Sequence, residues 1–319
     1  MQFSKGLRGI VTLLLALPCV AALALETEPV RVGTAHEALF ALDMDGARGL
    51  AVGTNATIFE SADAGVEWSR HSVPGTSLAL LGVDQRGNHA VAVGQMGAIA
   101  VRGADGWQSV SSPTEERLMA VGVNADGLAV AAGAFGALLR STDGGRNWNM
   151  VAIEWPALDS DQQGIEPHLY DVRVTDAGVV LVAGEYGVVL RSDNGGEDWA
   201  VVHRGDASMF AIEIWDDGRG YAVGQNGVIL HTRDLGVTWE RQETNTKTNL
   251  FAVQSWTDGT VVVAGMREWL TSNDDGGHWV SHREGDIGTY WYTDVAAAGD
   301  TGTLLAVGQA GQVVRVATE

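Results

Sequence analysis

The sequence predicts an all-β protein: a single seven-bladed β-propeller of four-stranded antiparallel blades, closed by an N-terminal strand that joins the last blade. Three observations predict it. A Val-Gly or Ala-Gly pair ends an apolar strand at Gly53, Gly94, Gly133, Gly184, Gly224, Gly265 and Gly308, at spacings of 41, 39, 51, 40, 41 and 43 residues. A Ser/Thr-x-Asp/Asn-x-Gly-x-x-Trp segment recurs five times between those glycines. The last repeat stops before its fourth strand, while Glu28-Pro29-Val30-Arg31-Val32 precedes the first. Short strands at a period of about 40 residues are the signature of propeller blades, and pairing the two chain ends in one blade removes open sheet edges.

The chain begins with Lys5 and Arg8, an apolar run from Ile10 to Leu17 and a small-x-small site at Ala22-Leu23-Ala24. This reads as a secretory signal peptide, residues 1–24, cut after Ala24. Cys19 is the only cysteine, and Pro18 before it does not suit a lipidation site. The segment 25–319 is the propeller domain. It has no disulfide or thiolate chemistry and no apolar run long enough to span a membrane.

Within each repeat the strand-ending glycine is followed three residues later by Gly97, Gly136, Gly187, Gly227 or Gly311, with Ala56 and Glu268 in the first and sixth repeats. Two glycines around two variable residues suit a tight turn with positive φ. The five Trp-bearing segments start at Ser61, Ser141, Ser192, Thr232 and Ser272 and are Asp-boxes. Turn chemistry explains each residue: the Asp or Asn accepts turn N–H groups, Gly takes positive φ, and Trp packs against the sheet. A metal or catalytic role for these boxes is not needed.

The third interval carries about ten extra residues, an acidic insertion at about 153–168. It contains Trp155, Asp159, Asp161 and Glu166, and extra loop length on a repeat scaffold often carries binding. Its acids loosely match an oxygen-ligand Ca²⁺ loop but lack the full ligand spacing, so a Ca²⁺ site, contact with a partner and a solvated acidic loop all remain open.

Composition narrows the function. The chain has 20 Lys+Arg against 40 Asp+Glu, a formal charge of −20. Loss of the leader takes Lys5 and Arg8 and leaves 18 basic residues, a charge of −22, with Lys247 the last lysine. Such a chain lacks the basic footprint of a nucleic-acid binder. The histidines show no metal spacing, and neither a metal nor a cofactor is expected. A Ser-His-Asp set has no supporting nucleophile motif. Glycoside hydrolysis needs two carboxylates about 5–10 Å apart; Glu166, Glu185 and Glu268 could reach one face, so a sialidase-like hydrolase or glycan-binding propeller is the alternative to a non-enzyme.

The strand starts Leu250-Phe251-Ala252-Val253 and Leu169-Tyr170-Asp171-Val172, the Val-Gly-x-x-Gly turns, and the Arg-Ser-x-Asp/Asn-Gly-Gly boxes at Arg140 and Arg191 or their near copies carry a resemblance. The sequence resembles the photosystem II stability/assembly factor family of lumenal or periplasmic seven-bladed propellers, along the whole segment after the leader. That resemblance implies a non-catalytic scaffold that binds a membrane-protein complex or subunit at its extracytoplasmic face. It also implies a basic binding patch, for which Arg140 and Arg191 are the regular basic positions, though the net charge departs from it. It does not by itself make the client photosynthetic.

A propeller offers two faces. Inter-blade loops and second-to-third-strand turns share one; the Asp-box turns share the other. By fold analogy ligands bind the first, near the axis. There the sequence places Gln95, Phe135, Glu185, Tyr186, Gln225, Asn226, Arg267, Glu268 and Gln309. The expected binding residues are Trp155, Asp159, Asp161, Glu166, Glu185, Tyr186, Arg140, Arg191, Arg267 and Glu268. Trp155, Trp269 and Trp291 are the expected exposed aromatics. The protein is expected to act as an exported, periplasmic or extracytoplasmic monomer.

Overall fold

The computed structural model describes residues 25–155, 166–299 and 302–318. The leader, Asp159 and Asp161 lie outside them. Seven four-stranded antiparallel sheets form the blades. Their inner strands are Leu39–Asp45, Leu80–Arg86, Leu118–Val123, Leu169–Val174, Met209–Ile214, Leu250–Ser255 and Tyr292–Ala297. In blades 1 to 6 the four strands follow in chain order outward from the axis. Blade 7 takes its outer strand from Leu25–Arg31, which pairs antiparallel with Gln312–Thr318. Pro29 sits in that edge strand, where a missing N–H is tolerated.

The apolar core is divided by seam rather than pooled. Each pair of neighbouring blades buries its own cluster. Leu50, Val52 and Ile58 of blade 1 meet Leu80, Ala92 and Trp107 of blade 2. The ring closes where Leu39, Ala51 and Phe59 of blade 1 meet Leu305, Val307 and Val313 of blade 7. Second strands such as Val180–Gly184 and Val261–Gly265 are buried along their whole length, which is why they read as unbroken apolar runs.

The turn chemistry differs from expectation in one respect. The strand-ending glycines are extended; Gly94 has φ −171. What excludes a side chain there is space, because a Cβ on Gly94 would stand 2.1 Å from the Ala79 carbonyl oxygen. Positive φ falls instead on the second glycine and on the residue before it, as at Gly97 (68°) and Met96 (51°).

The Ser-x-Asp-x-Gly-x-x-Trp turns follow the expected hydrogen-bond pattern. Ser141 Oγ donates to Asp143 Oδ1 and accepts from Gly145 N–H at 3.1 Å. Asp143 Oδ1 accepts from the N–H groups of Arg146 and Asn147, and Trp148 Nε1 donates to the Gly145 carbonyl. In the fifth copy, Trp279 Nε1 has no partner among the described residues.

Candidate functional site

Every inner strand begins with a register shift after its first residue. A bulge re-aims the extra side chain and bends its strand. The residues at the seven shifts are Phe40, Leu81, Met119, Tyr170, Phe210, Phe251 and Thr293, and all line one opening at the end of the central channel. An arc of rings runs around this mouth. Phe135 meets His168 edge-on at 4.8 Å, Tyr170 meets Phe210 at 5.2 Å, and Phe210 lies 5.6 Å from Phe251.

Hydrogen bonds fix the arc. His168 Nδ1 accepts from Phe135 N–H at 3.0 Å. Glu185 accepts from His168 N–H at 2.9 Å and from the Tyr170 hydroxyl at 3.2 Å. Burial and the Glu185 carboxylate push the Tyr170 phenol up to about 12, so it stays a donor at neutral pH. Phe135 of the arc and, beyond it, Met96, Met266 and Tyr290 are exposed on the same face. Four of the seven large apolar side chains exposed among the described residues therefore gather on the turn-tip face.

Inside the channel the character changes. Asp43, Asp84, Asp171, Glu213 and Asp294 surround a single deep cation, Arg173, next to cavities of about 90 and 240 Å³. These carboxylates are joined to the next blade. Asp171 accepts from Ile212 N–H and Asp294 from Leu42 N–H, each at 2.9 Å. Asp43 accepts from Gln85 N–H and Asp84 from Val123 N–H. Glu213 accepts from Ser255 Oγ, and Arg173 donates to the Ile212 carbonyl. The ring thus ties inner strand to inner strand around the axis.

Burial pushes Glu213 and Asp294 each up to about 7. Burial and the facing Asp43 carboxylate hold Asp84 well above the usual carboxylate range. The described residues hold no group of three or more His, Cys, Asp or Glu arranged to bind a metal.

The residues singled out from the sequence fall into four places. Glu185, Tyr186 and Arg267 lie on the turn-tip face, and Trp155 and Glu166 pack against Gly136 there. Glu268 does not reach that surface. It is 2 % exposed and accepts from Thr246, Thr248, Ser281 and Arg283, which draw its carboxyl down to about 2 against the cost of burial. Its network is separate from that of Glu185.

Arg140 and Arg191 occupy the opposite face, each donating Nε to a carbonyl of the next blade's turn, Gly195 and Leu235. Arg315 donates Nη1 to the Ala64 carbonyl in blade 1. Trp269 is fully buried and edge-on to Tyr292, because the sixth blade places it between sheets. Sequence reasoning missed the bulged ring and the axial acids. Both had a signal: two adjacent large apolar residues at a strand start break strict alternation, and acids such as Asp43 and Asp84 interrupt strands that are otherwise apolar.

Residues 149–250 match a family described as photosynthesis system II assembly factor YCF48. A curated relative, the photosystem II assembly lipoprotein Ycf48 of Synechococcus sp. (strain CC9902), is 26 % identical over 212 residues. That match covers 62 % of this chain and 61 % of the relative's length.

Among solved structures, YCF48 bound to D1 peptide superposes with a TM-score of 0.71 at 20 % identity, covering 92 % of this chain and 97 % of that one. YCF48 from Cyanidioschyzon merolae gives 0.71 at 16 % identity, covering 91 % and 98 %. At these identities the superpositions speak for the fold.

Proposed function

We propose that this chain, a seven-bladed propeller of photosystem II assembly factor-like sequence, is a non-catalytic scaffold that binds a segment of a membrane-protein subunit. The observation that carries this reading is the turn-tip face. It combines a hydrogen-bonded aromatic arc at the channel mouth with exposed Met96, Phe135, Met266 and Tyr290. Exposed apolar side chains gathered on one face mark an interaction surface more often than a catalytic one. The similar YCF48 seen with a D1 peptide supports a polypeptide as the bound partner. The leader-like residues 1–24 and the lipoprotein relative support export, with the client met at its periplasmic or extracytoplasmic side and the propeller acting as a monomer. No helix of the described residues is long and apolar enough to cross a membrane.

Trp155 and Glu166 of the insertion join the rim of this surface, beside Glu185, Tyr186 and Arg267, while Arg140, Arg191 and Glu268 serve the frame. The test is affinity purification of the tagged protein from detergent-solubilised envelope of its own organism, read by mass spectrometry. Reproducible recovery of an integral membrane protein supports the reading. Recovery of none, together with release of sugar from a glycan panel, overturns it in favour of a hydrolase. Amine crosslinkers are unsuitable, because Lys247 is the only lysine after the leader.

A further inference from the structure

We propose that the groove between blades 2 and 3 on the turn-tip face binds a peptide segment in which large apolar side chains flank a lysine or arginine. The inference rests on the scaffold reading for the source of the peptide, and on the groove itself for the chemistry. The groove encloses about 800 Å³, within the range of pockets that enclose ligand groups. Its walls are the turn tips Met96 and Phe135, 65 % and 59 % exposed. Met119 and Tyr170 form the floor, and Glu115 and Glu116 stand at the rim.

Met96 and Phe135 both sit at φ 51°, a left-handed conformation that bulky residues rarely adopt. The turn does not require them. Asn55 and Asn226 hold the same place in blades 1 and 5, and Ala310 holds it in blade 7. Two large apolar side chains at strained, exposed tips, on the two walls of one groove, have no use in the turn itself.

The Phe135 wall is held by its N–H bond to His168 and by the edge-on contact between the two rings, so the surface is organised before a ligand arrives. Opposite it, Met96 and Met119 supply unbranched side chains that adapt to varied apolar groups.

Among the described residues no ion pair engages Glu115 or Glu116, and Arg117 lines the same groove. The chain's formal charge of −20 adds a long-range attraction for basic segments. A peptide cation at the rim would meet two carboxylates while its apolar neighbours reach between Met96 and Phe135.

The experiment is fluorescence anisotropy of the intact protein with three short labelled peptides of one Leu/Phe pattern, bearing Arg, Gln or Glu at the same position. The Arg peptide is expected to bind most tightly and the Glu peptide least. Phe135→Ala should weaken the Arg peptide about tenfold. Glu115→Gln with Glu116→Gln should weaken it several-fold and reduce its salt dependence. Met96→Ser gives a second variant should Phe135→Ala disturb folding, with thermal melting as the check.

Equal or tighter binding of the Glu peptide would overturn the proposal and point to Arg117 as an anchor for acidic segments. Failure of all three peptides to bind, or indifference to both wall variants, would overturn it as well. The two readings separate cleanly. A membrane subunit recovered equally well by the groove variants sinks the groove and leaves the scaffold; peptide binding at the groove with no membrane subunit recovered does the reverse.

Discussion

At the residue scale, the axial acids make the clearest prediction. Glu213 titrates in the fold at about 7, above its ordinary value, because burial disfavours its charge. The folded protein therefore holds this proton more tightly than the unfolded chain, and stability falls as pH rises from the ordinary carboxylate range through about 7. Glu213→Gln should leave the melting temperature at pH 5 nearly unchanged and raise stability at pH 8 by roughly 1–2 kcal/mol, since channel water tempers the full effect. Differential scanning calorimetry across that range checks it; a Gln variant with the wild-type pH profile would contradict the assignment. In the Trp-bearing turns, Asp143→Ala removes the acceptor of two backbone N–H groups and should cost about 1–2 kcal/mol. Asp143→Asn should be mild, because Asn194 already does the same work in blade 4, and urea denaturation separates the two. This turn chemistry was legible in the sequence because it is local. The axial ring was not, because its bonds join distant residues, 41 apart from Asp171 to Ile212 and 252 apart from Asp294 to Leu42.

At the element scale, each blade is shaped by two local devices. The register shift at the head of the inner strand turns one side chain toward the mouth, apolar or aromatic in six blades and Thr293 in the seventh. The strand-ending glycine lets the second strand pass against the carbonyl that precedes the inner strand. Gly94→Ala should cost about 3 kcal/mol, because backbone itself blocks the new methyl group. Gly205→Ala, whose methyl would meet only the His203 ring at 3.4 Å, should be nearly silent, and thermal melts of the pair test the distinction.

The sequence pointed to a glycine at these positions but suggested the wrong cause, since close approach and positive φ leave the same mark in a single chain. Trp269 shows a similar limit. Its unusual residue type was visible, yet its burial depends on Tyr292 of the next blade. On the opposite face, Arg140, Arg191 and Arg315 clasp the next blade's turn, while His231 holds the same place in blade 5. His231 is buried, stacked on Tyr221 at 4.4 Å and 3.8 Å from Asp275, and neither ring nitrogen has a hydrogen-bond partner among the described residues, so it makes no such clasp.

At the scale of the whole molecule, stability rests on seven seams closed by one strand. Leu305 is fully buried where blade 7 meets blade 1. Leu305→Ala should cost about 2–5 kcal/mol. Removal of residues 25–31 should raise amide exchange along Gln312–Thr318 first, since those residues lose their pairing partner. The blade number, the strand order and the closure by the N-terminal strand were all legible from the repeat. The make-up of the turn-tip face was legible in part: Phe135, Glu185 and Tyr186 lie in the turns where the repeat puts them, whereas Glu268 is drawn inward by four donors that no spacing rule reveals.

The central claim is that one face of the ring holds a membrane-protein subunit. The most direct test compares recovery of the co-purified membrane protein by three forms of the propeller: wild type, Phe135→Ala with Met266→Ser on the turn-tip face, and Arg146→Ala with Val237→Ser on the opposite face. The account predicts equal recovery by the wild type and the opposite-face variant and loss with the turn-tip variant. Loss with the opposite-face variant alone, or equal recovery by all three, would contradict it.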